Sequence, residues 1–511
     1  MTDTATLRRF DVETEIRQRR YDVAIVGAGM GGLSAAALLA RSGAKVLLLE
    51  AIHYPGGCAS SYRKADAVFD VGATTFSGIA PGQPLHDLFG RIGPFDGLLP
   101  ADPPMGIHID GRMILRHRDR EAWIQEAEQA FDRPMRGFWN EVSGYSDAAY
   151  EMMSTVPYLP PRSIRETAAN IRHVRSGVLR HLPHLFASVA SRIGRHGAGS
   201  DSFRRFVDAQ LLITSQATSA RVPFFAGALG LSYPDYPLYS VRGGMIRYAR
   251  FLEQCATDAG ADVVYLQPVR RIERTNGVWT VRTAKGGVVE TETVVTDVPV
   301  FNLPEMTTGA LRSYFEGSVA RLRASGVEHW GAFTMYALVE AGVGAGMPLN
   351  LQVVLPTSLV STGSSTLFLS FSHPEDEERA PSGFRTLTVS THLGAGHPAL
   401  LAGREYYRQW KQSAEGEILL ALRSHVEDLC DMSFRFVQSG TPRTFEKYTG
   451  RFGGLVGGIP LDRRVFPFRY PMPTTPFDGL YCLGDTFFPG QGIPGVTLGA
   501  LALAKRMKVL R

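Results

Sequence analysis

The sequence predicts an α/β fold, and three observations predict it. A β-branched run, Tyr21 to Val26, passes directly into the glycine-rich turn Gly27-Ala28-Gly29-Met30-Gly31-Gly32. An Ala/Leu-rich segment with helical composition, Leu33 to Gly43, comes next. A second apolar run from Lys45 then ends on Glu50, 18 residues beyond Gly32. Continuous apolar strands flanking a helix are the signature of a buried parallel sheet, so the first thirty or so residues from Tyr21 read as a βαβ unit.

Each part of that unit has a physical task. Gly27 permits the tight strand-to-helix turn. Gly29, with Met30 and Gly31 beside it, lets a pyrophosphate approach the backbone, and Gly32 lets the helix pack on the strand. The helix N-terminus offers N–H groups and partial positive charge to phosphate. Glu50 is placed to accept both ribose hydroxyls of an adenosine. Together they predict a Rossmann-like dinucleotide site.

The dinucleotide is narrowed by what surrounds the unit. Pro55-Gly56-Gly57-Cys58-Ala59-Ser60-Ser61 comes soon after the acid, then Phe69-Asp70-Val71-Gly72. A flavin, extending beyond the pyrophosphate, needs such a second glycine pair for close backbone approach. More than four hundred residues later, Leu480-Tyr481-Cys482-Leu483 reads as a buried strand ending in Gly484-Asp485. Pro489 to Val496, with Gly495 and Val496 at its end, feeds a small-residue helix expected over TLGALALAKRM. Asp485 is placed for a ribityl hydroxyl or a phosphate-bound water. The last helix would face its positive end to the flavin pyrimidine.

These motifs resemble the phytoene desaturase / carotenoid isomerase family of FAD enzymes, which also includes retinol saturases. The likeness is strong over 21–80 and 440–505 and moderate over 236–297, where Arg242-Gly243-Gly244-Met245 resembles the family's Gly-Gly helix start. Val269, in Gln267-Pro268-Val269-Arg270-Arg271-Ile272, falls in what resembles the adenine-touching strand. The resemblance implies a Rossmann-like FAD-binding domain made of 21–95, 236–300 and 440–511, as in flavin amine oxidases. A discontinuous mixed-sheet plus helical substrate domain would come from 96–235 and 301–439. Within it, Leu367–Ser372 and Phe384–His392 read as antiparallel strands around a charged turn. The implied substrate is a hydrophobic polyene such as a carotenoid.

Composition bounds the rest. The chain has 511 residues, 44% hydrophobic and 20% charged, with a mild net charge of +5. That is globular composition, long enough for two or three domains. Cys58, Cys255, Cys430 and Cys482 are widely spaced, which argues against a zinc site and favours a reducing cytoplasm, and no histidines stand at metal-ligand spacing, so no metal is expected. The first twenty residues are charged and lack the apolar core of a signal peptide. Residues 161–206 carry nine arginines and four histidines against Glu166 and Asp201 alone. Apolar Ile164, Ile171, Val174, Val178 and Leu182 recur at helical spacing, and Leu185, Phe186, Val189 and Ile193 resume it after Pro183. This reads either as helices lying on an anionic membrane surface or as a solvated basic face. The resemblance favours the membrane, with the protein peripheral to it. Few aromatics interleave the arginines, so nucleic acid is not expected.

For acid/base chemistry the candidates are Arg242, before the Gly-Gly turn, and Asp208, in the apolar segment FVDAQLL. A helix-packing role for Asp208 is the alternative. Two other functions stay open. A flavin amine oxidase-like enzyme could use Tyr481, Phe487 and Phe488 as an aromatic cage, and a prenyl-lipid carrier of the same fold would do no chemistry.

Overall fold

Two seven-stranded sheets organise the chain, whose computed structural model describes residues 20–174 and 182–509. The first sheet runs Val269–Thr275, Val278–Thr283, Val288–Thr296, Tyr21–Val26, Val46–Leu49, Asp262–Val264. Tyr21–Val26 sits at its centre, parallel to both neighbours. Its all-but-continuous burial explains why the strand is apolar on both faces. Leu480–Cys482, from the far end of the chain, joins parallel to the last residues of Val288–Thr296.

Helix Met30–Arg41 is the hub. Every residue from Met30 to Ala40 is buried, with helices Gly492–Arg506 and Met245–Asp258 packed against it. Ala35, Ala36, Ala37 and Ala40 are at most 3% exposed, so the small side chains let three helices close on one axis. The last helix begins at Gly492, earlier than its composition suggested. Pro494 lies in its first turn, where the missing N–H costs nothing.

The second sheet is mixed, in the order Phe436–Gly440, Trp330–Glu340, Phe384–Gly394, Thr366–Phe371, Asn350–Val354, Met105–Ile109, Arg112–Arg116. Its neighbours are antiparallel except for the parallel pair Asn350–Val354 and Met105–Ile109. The two strands expected around 367–392 pair as predicted, Phe368 opposite Ser390. One face of this sheet packs on helix Arg404–His425 through Trp410, Ala414, Ile418 and Leu422.

The basic stretch departs from the expected helices. Ile164–Ile171 is a short helix with no buried residue. Leu185 and Phe186 lie outside any helix. Val189, Ile193, Phe203 and Phe206 are fully buried, and Arg192 pairs with Glu141 at 2.6 Å. The apolar side chains of 189–206 therefore pack into the protein core rather than onto a membrane, a helical repeat of apolar residues being equally compatible with either surface. Arg175, Val178, Arg180 and His181 lie outside the described residues.

Candidate active site

The parallel strands deliver the first turn of Met30–Arg41, Glu50 and the loop after Leu480–Cys482 to one edge of the first sheet. They line one end of a cavity of about 1350 Å³. Lining it there are Gly27, Gly29, Met30, Gly31, Glu50, Gly56, Gly57, Cys58, Ala59, Val269, Gly484, Asp485, Gly495 and Val496. Every sequence-nominated cofactor residue except Gly32 thus faces a single space. Gly32 lies behind it: a Cβ there would stand 2.2 Å from the Gly27 carbonyl oxygen, so the glycine serves helix–strand packing.

The two glycine motifs meet directly. Gly29 and Gly56 form a parallel bridge, and the Gly56 N–H donates to the Ala28 carbonyl at 2.8 Å. Gly56 has φ +101, and a Cβ on it would lie 2.9 Å from the Ala59 carbonyl oxygen. Gly29, at the N-cap of Met30–Arg41, supplies no side-chain cap; Asp297 takes the Gly32 N–H, and the Met30 and Gly31 N–H groups are left at the cavity. Glu50 accepts the Ala28 N–H at 2.6 Å and the Ile52 N–H at 3.0 Å. Burial pushes its carboxyl up, and these N–H bonds oppose the shift. A backbone crook, a helix N-terminus with free N–H groups in its first residues and an acid at the second strand end fit the phosphates and ribose of a dinucleotide.

Asp485 is not solitary. Arg451 holds both its carboxylate oxygens, at 2.9 and 2.8 Å, and donates Nε to the Leu455 carbonyl at 2.7 Å. The Asp485 carboxylate beside it holds the Arg451 guanidinium firmly protonated despite burial. Sequence reasoning missed Arg451 and also Asp297, whose carboxylate reaches the Gly32 N–H at 2.9 Å. Neither sits in a recognisable motif; only the closing of Thr296 onto Leu480–Cys482 brings them in. Burial pushes the Cys58 thiol up, keeping it protonated. Cys482 packs in the apolar core and does not line the cavity.

The rest of the cavity is mostly apolar, walled by Tyr145, Ala148, Ala149, Met152 and Met153 of Arg136–Thr155 and by Phe225 and Leu229 of Phe224–Leu231. The mixed sheet closes it. By strand periodicity, Ala332 with Thr334, Thr366 with Phe368, and Ser390 with His392 face inward, while Phe333, Leu367 and Val389 face the opposite core. His392 is the only imidazole lining the cavity among the described residues. Burial pushes it down to about 4, so it is neutral, and the Leu212 carbonyl takes one ring N–H. The Trp330 ring stands edge-on to it, centroids 5.7 Å apart.

The two acid/base nominees lie elsewhere. Asp208 accepts the Ser219 N–H at 2.6 Å, and Arg242 donates to the Glu375 carbonyl at 3.2 Å. Neither side chain lines the cavity. Of the aromatics proposed for an amine cage, Phe488 lines it, while Phe487 and Tyr481 pack into the apolar cores.

Known proteins agree with this geometry. Residues 25–92 match the NAD(P)-binding Rossmann-like domain family. The chain is similar to the chloroplastic prolycopene isomerase of Daucus carota, 23% identical over 96% of this chain and 80% of the relative. It is also similar to a 1-hydroxycarotenoid 3,4-desaturase of Flavobacterium sp. (strain P99-3), 22% identical over 93% and 96% of the two chains. Among solved structures, cyclohexylamine oxidase from Brevibacterium oxydans IH-35A shares the fold, with a TM-score of 0.57, 16% identity and coverage of 96% and 100%. The Rossmann-like fold and the carotenoid isomerase and desaturase relatives together support a flavoprotein-type oxidoreductase. Within that class, the curated relatives are a carotenoid isomerase and a carotenoid desaturase, in agreement with the resemblance to the phytoene desaturase / carotenoid isomerase family that the motifs carry.

Proposed function

We propose that the chain binds FAD non-covalently and acts on the double bonds of a hydrophobic polyene of the carotenoid class. One observation carries this: the glycine crook and the apolar chamber are two ends of one cavity, so a flavin held by the first would meet a chain lying in the second. Segments 21–95, 236–300 and 440–511 would bind FAD, and 96–235 with 301–439 would bind substrate. FAD would supply hydride exchange, oxidised for desaturation or reduced for isomerisation or saturation. Glu50 would hold the ribose, the first turns of Met30–Arg41 and Gly492–Arg506 would meet negative charge, and the Arg451–Asp485 pair would fix the loop between them. The chamber walls exclude water. His392, neutral and held by Leu212, is the polar group placed to take or give a proton there. A protonated Cys58 thiol favours non-covalent binding.

We place the protein at an anionic membrane surface, through the part of the basic stretch that is not core. Ile164 is 90% exposed, Ile171 66% and Phe186 54%, and Phe468 beside Phe186 is 93%. Leu159, Pro160, Phe186 and Pro467 line the cavity itself, so exposed Phe186 and its neighbour Phe468 would stand where an apolar substrate could enter it. No helix among the described residues is long and apolar enough to cross a membrane.

The test is reconstitution with FAD in liposomes carrying cis-configured or less desaturated carotenoids, with the flavin oxidised in one arm and reduced in the other. Chromatography separates an isomer of unchanged mass from a product two hydrogens lighter or heavier. A yellow protein that changes no polyene in either arm would overturn the substrate assignment, and an amine turned over instead would install the amine oxidase. His392→Gln should keep FAD and lose turnover.

A further inference from the structure

Asp297, directly after the strand Val288–Thr296, stands against the glycines of the crook. A Cβ on Gly29 would fall 2.3 Å from its Oδ2, and one on Gly31 or Gly484 would fall 2.8 Å from its Oδ1. These glycines therefore make room for a carboxyl group of the chain itself as well as for a ligand. Oδ2 accepts the Gly32 N–H at 2.9 Å. Oδ1 has no donor among the described residues and lies in the cleft between Gly31 and Gly484, both of which line the cavity.

The charges around Asp297 are unbalanced. Glu50 faces it from the end of Val46–Leu49 and Asp485 from the loop after Leu480–Cys482. The helix N-terminus and Arg451 oppose them, but Arg451 is engaged with both oxygens of Asp485. A dinucleotide brings two further negative charges to this crook. We propose that Asp297 positions the cofactor as a neutral acid, with its proton on Oδ1, so that FAD binding takes up a proton and weakens as pH rises. The proposal rests on the FAD reading above.

The sign follows from linkage. Without ligand, burial already pushes the Asp297 carboxyl up to about 7. Phosphate charge beside it raises the bound form further. Between those two values the complex holds a proton that the free protein lacks, and the FAD Kd should rise by up to about tenfold per pH unit. The slope is absent below the lower value.

FAD titrations of the apoprotein by flavin fluorescence, from about pH 6 to pH 9, test this without any turnover. The wild type should lose affinity above neutral pH. Asp297→Asn, isosteric and uncharged, should bind with a flat profile and more tightly than wild type at the alkaline end. A flat wild-type profile, or a slope retained in Asp297→Asn, overturns the proposal. Calorimetry of the wild type in buffers of different ionisation heat counts the proton directly and serves should the variant not fold. Net uptake above neutral pH is expected, and zero uptake overturns the idea. A protein that binds no FAD at any pH would sink the flavin reading and this inference with it, whereas FAD binding without a proton sinks this inference alone.

Discussion

Arg451 and Asp485 show what single residues do for this site. Their side chains are 13% and 19% exposed, and each leaves a poorly solvated charge if the other is removed. Arg451→Met should therefore destabilise the apoprotein by about 3–5 kcal/mol, the scale for breaking a buried pair from one side. Adding Asp485→Asn should restore part of it. Thermal melts of the single and double variants check this, and equal melting points for both would mean that the pair is not coupled. Glu50 is different, because it joins backbone to ligand. Glu50→Ala removes the acceptor for the Ala28 and Ile52 N–H groups as well as for the ribose. FAD binding should weaken by roughly 1.5–3 kcal/mol, the scale for hydrogen bonds to a charged group, in equilibrium dialysis. Unchanged affinity would remove Glu50 from the ribose.

At the scale of elements, Asp70 and the segment 373–383 tie the two sheets together. Asp70 Oδ1 accepts the N–H of Met245 at 2.7 Å, capping the Met245–Asp258 helix from another strand, and also takes the Ser61 hydroxyl at 2.7 Å. Its Oδ2 meets Arg379 at 2.8 Å, and Arg379 Nε donates to the Val68 carbonyl. Both side chains are 4% exposed. Arg379→Leu should cost about 3–5 kcal/mol in denaturant unfolding and loosen the two sheets together; a loss below about 1 kcal/mol would make the contact incidental. This is also where the sequence could be read and where it could not. The βαβ unit, the glycine crook and the terminal strand were legible because their chemistry is local: a turn needs glycine and a buried parallel strand needs apolar residues on both faces. Phe69-Asp70-Val71-Gly72 read as part of a flavin motif, and Gly72 does line the cavity, but Asp70 serves the packing of sheets. The segment Pro374 to Gly383 reads as a charged turn between strands, and in it Asp376 and Arg379 are buried. Nothing local marks a charge whose partner lies three hundred residues away. The same holds for Arg451, Asp297 and His392, each brought in by chain closure rather than by spacing.

At the scale of the molecule, an apolar substrate has to reach a chamber enclosed by two sheets and a helical wall. Among the exposed apolar residues, Phe186 and Phe468 have ring centroids 6.5 Å apart, Phe186 and Pro467 line the cavity, and exposed Ile164 and Ile171 follow closely in the chain on cavity-lining Leu159 and Pro160. A smaller cavity of about 360 Å³ adjoins it through Phe466 and is lined by Arg463, Arg464 and Arg469. Arg464 is neutralised by Asp462, whereas Arg463 and Arg469 have no carboxylate partner among the described residues. Apolar side chains beside unpaired arginines suit the boundary between acyl chains and anionic headgroups. Each large apolar side chain fully buried there contributes ~1.5–3 kcal/mol, and each arginine ~1 kcal/mol at most, weakened by salt. Phe186→Ser with Phe468→Ser should therefore reduce sedimentation with anionic liposomes by at least about tenfold, since even half-burial of two phenylalanines exceeds ~1.4 kcal/mol. Stability should shift by no more than ~0.5 kcal/mol, because both residues are solvent-exposed. FAD content should not change, for the crook lies at the other end of the cavity. Turnover of liposome-held substrate should fall while that of detergent-solubilised substrate persists. Undiminished sedimentation would make these residues an ordinary rim of the cavity, and the basic stretch before them a solvated face.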